Sequence, residues 1–230
     1  MDATASYGRT REALTAYFDR TAFAQWAALT SDAPVSRIRA TVRAGRDRMR
    51  ALLLDWLPQD LRGARLLDAG CGTGALAVAA AQRGAQVVAV DVSGQLIDLA
   101  RERAASSASG AGLRIEWLVG DMLTAGGDGF DHVVAMDSLI HYPAADIARA
   151  LGALSARAPH VVATVAPRTP LLSVMHGVGK LFPRDDRAPA IQPVRVEGLR
   201  RQLAAAGLRN GRQARVSSGF YTSQALEVER

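Results

Sequence analysis

The segment Leu66-Leu67-Asp68-Ala69-Gly70-Cys71-Gly72-Thr73-Gly74 constrains the fold of this chain more than any other. A short apolar run ends in a carboxylate, and a glycine-rich turn then opens a helix. This arrangement brings backbone close to a nucleotide-like ligand at the carboxyl end of a strand. Glycine permits positive φ and leaves no Cβ in the ligand's way. The spacing alone is ambiguous: Gly70, Gly72 and Ala75 also satisfy the dinucleotide fingerprint, in which a pyrophosphate sits at the helix N-terminus. Two acids favour a different ligand. Asp68, two residues before Gly70, would repel a pyrophosphate and suits an ammonium group. Asp91 ends the next apolar run, Gln86–Asp91, and follows Asp68 by 23 residues, about the spacing at which an acid meets ribose hydroxyls. Without a ligand, the same residues read as a tight turn whose helix Asp68 caps.

At 230 residues the chain is one domain of ordinary size with room for an appended lobe, and 49% hydrophobic residues is a globular content. No apolar run reaches the roughly 20 residues that span a bilayer. The polar start Met1-Asp2-Ala3-Thr4 is not followed by a signal-peptide core, so a cytoplasmic protein is expected. The single cysteine, Cys71, excludes an internal disulfide framework. It reads as a small side chain in the glycine loop, not a nucleophile, since no histidine lies nearby in sequence. The formal charge of +6 is carried almost wholly by arginine, with Lys180 the only lysine. Such a charge suits an acidic substrate or an anionic surface, or reflects arginine-rich coding. No basic low-complexity tail or aromatic-rich strand points to nucleic acid.

Helical spacing predicts a helix from Thr10 to about Leu29, with Leu14, Tyr17, Phe18, Ala22 and Trp26 near one face. A second runs from a Ser36 cap to Leu57, before Pro58. Its apolar side holds Met49, Leu52 and Leu53. Its other side, with Arg37, Arg39, Arg43, Arg46, Arg48 and Arg50, reads as a solvated face as readily as a functional one. Strands near 65–68, 86–91, 114–119, 131–137 and 160–166 alternate with helices near 73–84, 94–107 and 144–157, which predicts a parallel sheet with crossover helices. Residues 168–194 break the alternation and read as an insertion, with a short amphipathic helix over Leu171–Phe182. A helix near 196–206 and a terminal hairpin, Gly211–Ser217 with Phe220–Val228, complete seven strands. The division is an N-terminal helical cap over 1–60 and an α/β domain over 61–230.

The pattern Asp68-x-Gly70-x-Gly72-x-Gly74 resembles the first motif of S-adenosylmethionine (SAM) dependent methyltransferases. That resemblance implies a class I SAM-methyltransferase, Rossmann-like fold with a seven-stranded, mostly parallel sheet. It implies cofactor contacts from Asp68, Gly70, Cys71, Gly72 and Gly74, and from Asp91 with Val92. In Gly120-Asp121-Met122 the acid would accept from the adenine amino group, and the next backbone amide would meet a ring nitrogen. Asp137 ends the fourth strand, beside the reactive methyl. His141 and Tyr142 follow on the loop where substrate and cofactor meet.

Three segments make the resemblance more specific: Ala16-Tyr17-Phe18-Asp19-Arg20-Thr21-Ala22-Phe23 through Trp26, the glycine loop, and Ile140-His141-Tyr142-Pro143. Together they resemble the magnesium-protoporphyrin IX O-methyltransferase family of chlorophyll and bacteriochlorophyll biosynthesis. Val42-Arg43-Ala44-Gly45-Arg46 resembles that family's second helix. The implied reaction is methylation of one substrate propionate, with S-adenosylhomocysteine as the other product and magnesium present only within the substrate. His141 would hold the propionate by a hydrogen bond, and Tyr17 and Phe18 would close over it on a mobile lid. His176, or a water, would approach the substrate's magnesium. The resemblance also implies the large subunit of magnesium chelatase as a partner and peripheral attachment to a photosynthetic membrane. Another small-molecule O- or N-methyltransferase and a non-catalytic SAM-binding module stay open on the motifs alone.

Overall fold

The computed structural model describes residues 3–31, 34–106, 112–168 and 190–230. Helix α1 (Ala3–Tyr17) leads through a π-helical turn (Phe18–Ala22) into α2 (Phe23–Leu29), and α3 (Arg37–Asp55) follows. The α/β part runs β1 (Arg65–Ala69), α4 (Ala75–Gln82), β2 (Gln86–Asp91), α5 (Gly94–Ser106), β3 (Ile115–Val119), β4 (His132–Ala135), α6 (Ala144–Arg157) and β5 (His160–Val165). Helix α7 (Val196–Ala205) then precedes the hairpin of β6 (Arg209–Ser218) and β7 (Tyr221–Glu229). The sheet order is β3-β2-β1-β4-β5-β7-β6, parallel except where β7 pairs with β5 and β6. The strand order reverses between β1 and β4, which opens a crevice beyond their carboxyl ends.

Alternation along the strands divides the core between two faces. Leu67, Val88, Val133 and Val161 pack with Ile147, Leu151 and Leu154 of α6, and with Leu199 and Leu203 of α7. Leu66, Val87, Val134 and Val162 pack with Leu76 and Ala80 of α4, and with Met49 and Leu53 of α3. Near-continuous apolar strands are what a sheet covered on both faces requires. Helix α3 therefore belongs to the core as well as to the N-terminal segment: Met49 and Leu53 are fully buried. Ser36 caps it as the sequence predicts, accepting from the amide of Arg39.

The first helix differs from its sequence reading. It begins at Ala3, not Thr10, and the single helix expected through Leu29 is interrupted by the π turn. The wider turn rotates the following residues, so Phe18 meets both Tyr17 and Trp26 edge-on, at 5.2 and 5.7 Å. The predicted helix over Leu171–Phe182 lies outside the described residues. The flanks of that segment are anchored: Arg168 N donates to Val194 O, and Gln192 N donates to Ile140 O, beside His141.

Gly74 starts α4 at φ +79°, and a Cβ there would lie 2.4 Å from the Trp117 ring. Gly63 has a similar φ of +82° with nothing within 4 Å. Gly63→Ala should therefore cost only the left-handed strain, about 1–2 kcal/mol. Gly74→Ala should lose roughly 1–3 kcal/mol more through overpacking. Urea unfolding of the two variants checks this; equal losses would mean that Trp117 yields freely.

Candidate active site

The crevice beyond β1 and β4 is closed from above by α1, the π turn, α2 and α3, which leaves a cavity of about 500 Å³. That is the size of a small-molecule site. Its floor is the carboxyl edge of the sheet with the glycine loop: Asp68, Gly70, Cys71, Gly72, Asp91 and Val92. Gly120 and Met122 follow β3, while Asp137, Ser138, His141 and Tyr142 follow β4. Its roof carries Tyr7, Leu14, Tyr17, Phe18 and Trp26, with Arg43, Arg46 and Arg50.

Asp68 is the least satisfied charge in this cavity. It is 1% exposed, and its Oδ2 has no hydrogen-bond partner. Burial, and then the neighbouring Asp91 carboxylate, push its pKa up to about 7. The backbone amide of Ala77 is the one compensating donor. Asp91 is better held. Its Oδ2 accepts from Gly72 N at 2.8 Å and its Oδ1 from Ser93 N at 3.0 Å, although burial still raises its pKa. The acid thereby ties the glycine loop to the end of β2. Gly72 faces the cavity, where a Cβ would meet only the Trp26 indole nitrogen, at 3.5 Å. Gly70 is needed for a different reason: a Cβ would lie 2.3 Å from that of Ser138. Burial holds the Cys71 thiol well above its usual range, so it is an inert small side chain in this loop.

Asp137 has φ +54°, the only described non-glycine residue with positive φ. Arg46 reaches down from α3 to its Oδ2 at 2.6 Å, Tyr221 Oη donates to the same carboxylate, and Thr164 Oγ1 donates to Oδ1 at 3.1 Å. The Arg46 guanidinium also lies 4.6 Å over the Trp26 ring. One carboxylate thus joins the roof to the ends of β4 and β7. Asp137 lines the cavity, and its oxygens are already engaged by protein.

Asp121, read from the sequence as the acceptor for an adenine amino group, is engaged here by protein partners. Its Oδ2 pairs with Arg11 at 2.6 Å, and its Oδ1 accepts from Tyr7 Oη at 2.8 Å and from Leu123 N at 3.0 Å. The carboxylate serves α1, and the cavity wall here is Gly120 and Met122. Tyr142 lines the cavity, is buried and stacks on Tyr7 with centroids 4.9 Å apart. Tyr17, Phe18 and His141 all line the cavity. His176 lies outside the described residues.

Several site residues escaped the sequence reading. The π turn places Asp19 so that its Oδ1 accepts from Ser93 Oγ at 2.5 Å and its carbonyl from Gln95 Nε2 at 2.8 Å, pinning the roof to the start of α5. Arg157 is buried beneath the 122–127 loop, where it donates to the carbonyls of Met122, Ala125 and Gly127. Spacing gave one available signal: Arg43, Arg46 and Arg50 stand at i, i+3 and i+7, one stripe of α3.

A profile described as "Magnesium-protoporphyrin IX methyltransferase C-terminus" matches residues 135–230, and one described as "Methyltransferase domain" matches 66–157. The magnesium-protoporphyrin O-methyltransferase of Rhodobacter capsulatus is 48% identical over 223 residues, covering 96% of this chain and 97% of that protein. The chain belongs to the magnesium-protoporphyrin O-methyltransferase family. The family's Synechocystis sp. member is 30% identical over 93% of this chain and 94% of its own length. The crystal structure of magnesium protoporphyrin IX methyltransferase from Synechocystis PCC 6803 with bound S-adenosylhomocysteine superimposes with a TM-score of 0.84, at 28% identity, over 97% of this chain and 99% of that one. The fold of the family is therefore the class I methyltransferase fold seen here.

Asp68→Asn tests whether the buried acid serves a cationic ligand. An acid whose pKa is raised on folding destabilises progressively as pH climbs from about 4 to about 7, and constantly above that. The variant should be more stable than wild type by roughly 2–4 kcal/mol at pH 8, with the gap closing below pH 4. It should also bind SAM at least about tenfold more weakly. Thermal melts across pH and calorimetry check both; a less stable variant with unchanged SAM affinity contradicts the assignment.

Proposed function

We propose that this chain transfers a methyl group from SAM to a propionate carboxylate of magnesium protoporphyrin IX, giving the monomethyl ester and S-adenosylhomocysteine, a step of chlorophyll or bacteriochlorophyll synthesis. The observation that carries this reading is the full-length match to relatives named for that substrate. The cavity fits the cofactor on its own evidence: an unpaired carboxylate oxygen on Asp68 and an unpartnered hydroxyl on Ser138, both buried at the glycine loop.

When bound, SAM supplies an electrophilic methyl on a positively charged sulfur. Asp68 holds the cofactor's ammonium group, and Asp91 accepts from its ribose hydroxyls while keeping Gly72 in place. Met122, fixed by Arg157, presents its backbone to the adenine. The substrate carboxylate is already ionised at neutral pH, with an ordinary pKa near ~4. No base is required: its oxygen lone pair forms the new bond to carbon, and the carbon–sulfur pair returns to sulfur. His141 therefore orients the propionate rather than deprotonating it. Alignment of oxygen, methyl carbon and sulfur supplies up to roughly 7–11 kcal/mol. The aromatic roof excludes water, so the carboxylate reacts without a full hydration shell.

The part of the N-terminal cap that opens for a bulky planar substrate is α1 with the π turn and α2, while α3 stays with the core. What supports this is the attachment of residues 5–29: polar contacts of Tyr7 and Arg11 with Asp121 and of Asp19 with Ser93 hold them, and Leu14 is the one buried apolar side chain among those described there. Docking of the magnesium chelatase large subunit and peripheral contact with a membrane belong to the same reading. They rest on the family resemblance alone. Among the described residues no helix is long and apolar enough to cross a membrane.

A methyl-transfer assay with SAM and magnesium protoporphyrin IX, read by mass, should show a gain of one methyl group; absence of product from folded protein contradicts the reading. His141→Ala should lower kcat by about 10²-fold, the scale on which misplacing a reacting group costs rate, with SAM affinity near wild type. A parallel loss of SAM binding would make His141 part of the cofactor site instead. Hydrogen exchange across residues 5–29 should slow when cofactor and porphyrin are both bound; equal protection with and without them would make the cap a fixed element.

A further inference from the structure

The stripe Arg43, Arg46 and Arg50 lines the cavity, but the three guanidinium groups are not equivalent. Arg43 donates from Nε to Leu29 O at 3.0 Å and from Nη2 to Ala28 O at 2.8 Å, closing the end of α2. Arg46 is committed to Asp137 and lies over Trp26. Both serve the roof. Arg50 has a different environment. Its partner is Asp47, one turn earlier on the same helix, through Nη2 to Oδ1 at 2.9 Å. The side chains of the pair are 32% and 51% exposed, at the mouth of the cavity.

An exposed pair between neighbours on one helix contributes little and is readily exchanged. The guanidinium has five donors in a rigid fork, and the Asp47 bond occupies one nitrogen. A ligand carboxylate arriving at the mouth can therefore be bound bidentately with little lost from the protein. Arg46 cannot do this without abandoning Asp137, a nearly buried acid that would be left uncompensated.

We propose that Arg50 is the carboxylate-binding residue of this cavity, holding a ligand carboxylate that is not the one methylated. This rests on the proposed function, which brings two such groups: the second propionate of the porphyrin and the α-carboxylate of SAM. Both present the same chemistry to the guanidinium. If the propionate is the partner, Arg50 also fixes which edge of the macrocycle enters and hence which propionate faces His141.

The test compares Arg50→Gln and Arg50→Lys with wild type and with Arg48→Gln, whose guanidinium bonds Ser217 O on the outer face. Calorimetry gives affinities for SAM and for 5′-methylthioadenosine, which lacks the amino-acid end. Fluorescence quenching, independent of turnover, gives affinities for magnesium protoporphyrin IX and for its ester at the non-reacting propionate. Arg50→Gln should weaken one carboxylate-bearing ligand by about ten- to a hundredfold and leave its carboxylate-free counterpart unchanged. Arg50→Lys should recover part of the loss, since it keeps the charge without the fork. Loss confined to the porphyrin diacid identifies the propionate; loss confined to SAM identifies the cofactor. Unchanged affinity for both, or equal loss with and without the carboxylate, overturns the proposal. Failure of wild type to methylate the porphyrin would overturn the proposed function instead, and the SAM arm would still decide Arg50.

Discussion

The site depends on a buried carboxylate with one oxygen unpaired. Asp68 lies at the carboxyl end of β1, which adjoins β2 on one side and β4 on the other. Three strands therefore end around it. Asp91, at the end of β2, adds a second negative charge to the same pocket. Two acids this deeply buried cost free energy unless something positive completes them. Gly72 N and Ser93 N complete Asp91 from within the chain. Nothing among the described residues does so for the outer oxygen of Asp68. A cationic ligand supplies the missing partner, and binding then draws on a charge that the fold has already desolvated.

A second carboxylate, Asp137, does the opposite work. It is fully engaged, and its partners come from α3, β5 and β7. Its positive φ is a strained conformation for a residue with a Cβ, and strain of this kind persists where surrounding structure over-determines it. The result is a fixed point from which the following loop presents Ser138, His141 and Tyr142. Between an unsatisfied acid that waits for a cation and a satisfied one that holds the wall, the cavity has both affinity and rigidity. Arg11 with Asp121 and Asp19 with Ser93 then fasten the cap through polar groups, which separate at lower cost than a packed apolar face.

The strands, their order of alternation and the acids at their ends were legible because each leaves a local mark. Strand–turn–helix punctuation survives in any window of the chain, and β1, β2 and β5 lie within about a residue of their predicted limits. What was not legible involved partners far apart in sequence. The local setting of Asp121, Gly-Asp after a strand, carries no trace of its ion pair with Arg11, 110 residues earlier. The arginines of α3 looked like one solvated face because a helix covered on two sides gives no clean period. Arg43, Arg46 and Arg50 face the cavity, whereas Arg48 faces the hairpin at Ser217. The π turn was invisible for a related reason: one extra residue in a turn shifts register without altering composition, yet it brings Phe18 and Asp19 to the site.

The central claim is that Asp68 is a weak acid awaiting a cation, and proton counting tests it most directly. Calorimetry of SAM and of 5′-methylthioadenosine at pH 6, in buffers of different ionisation enthalpy, gives the protons exchanged on binding. At that pH an acid with a pKa of about 7 is mostly protonated, and pairing with an ammonium group lowers its pKa. SAM should therefore release close to one proton, and 5′-methylthioadenosine, without the ammonium, should release almost none. Equal release by both ligands, or no buffer dependence with SAM, would contradict the account.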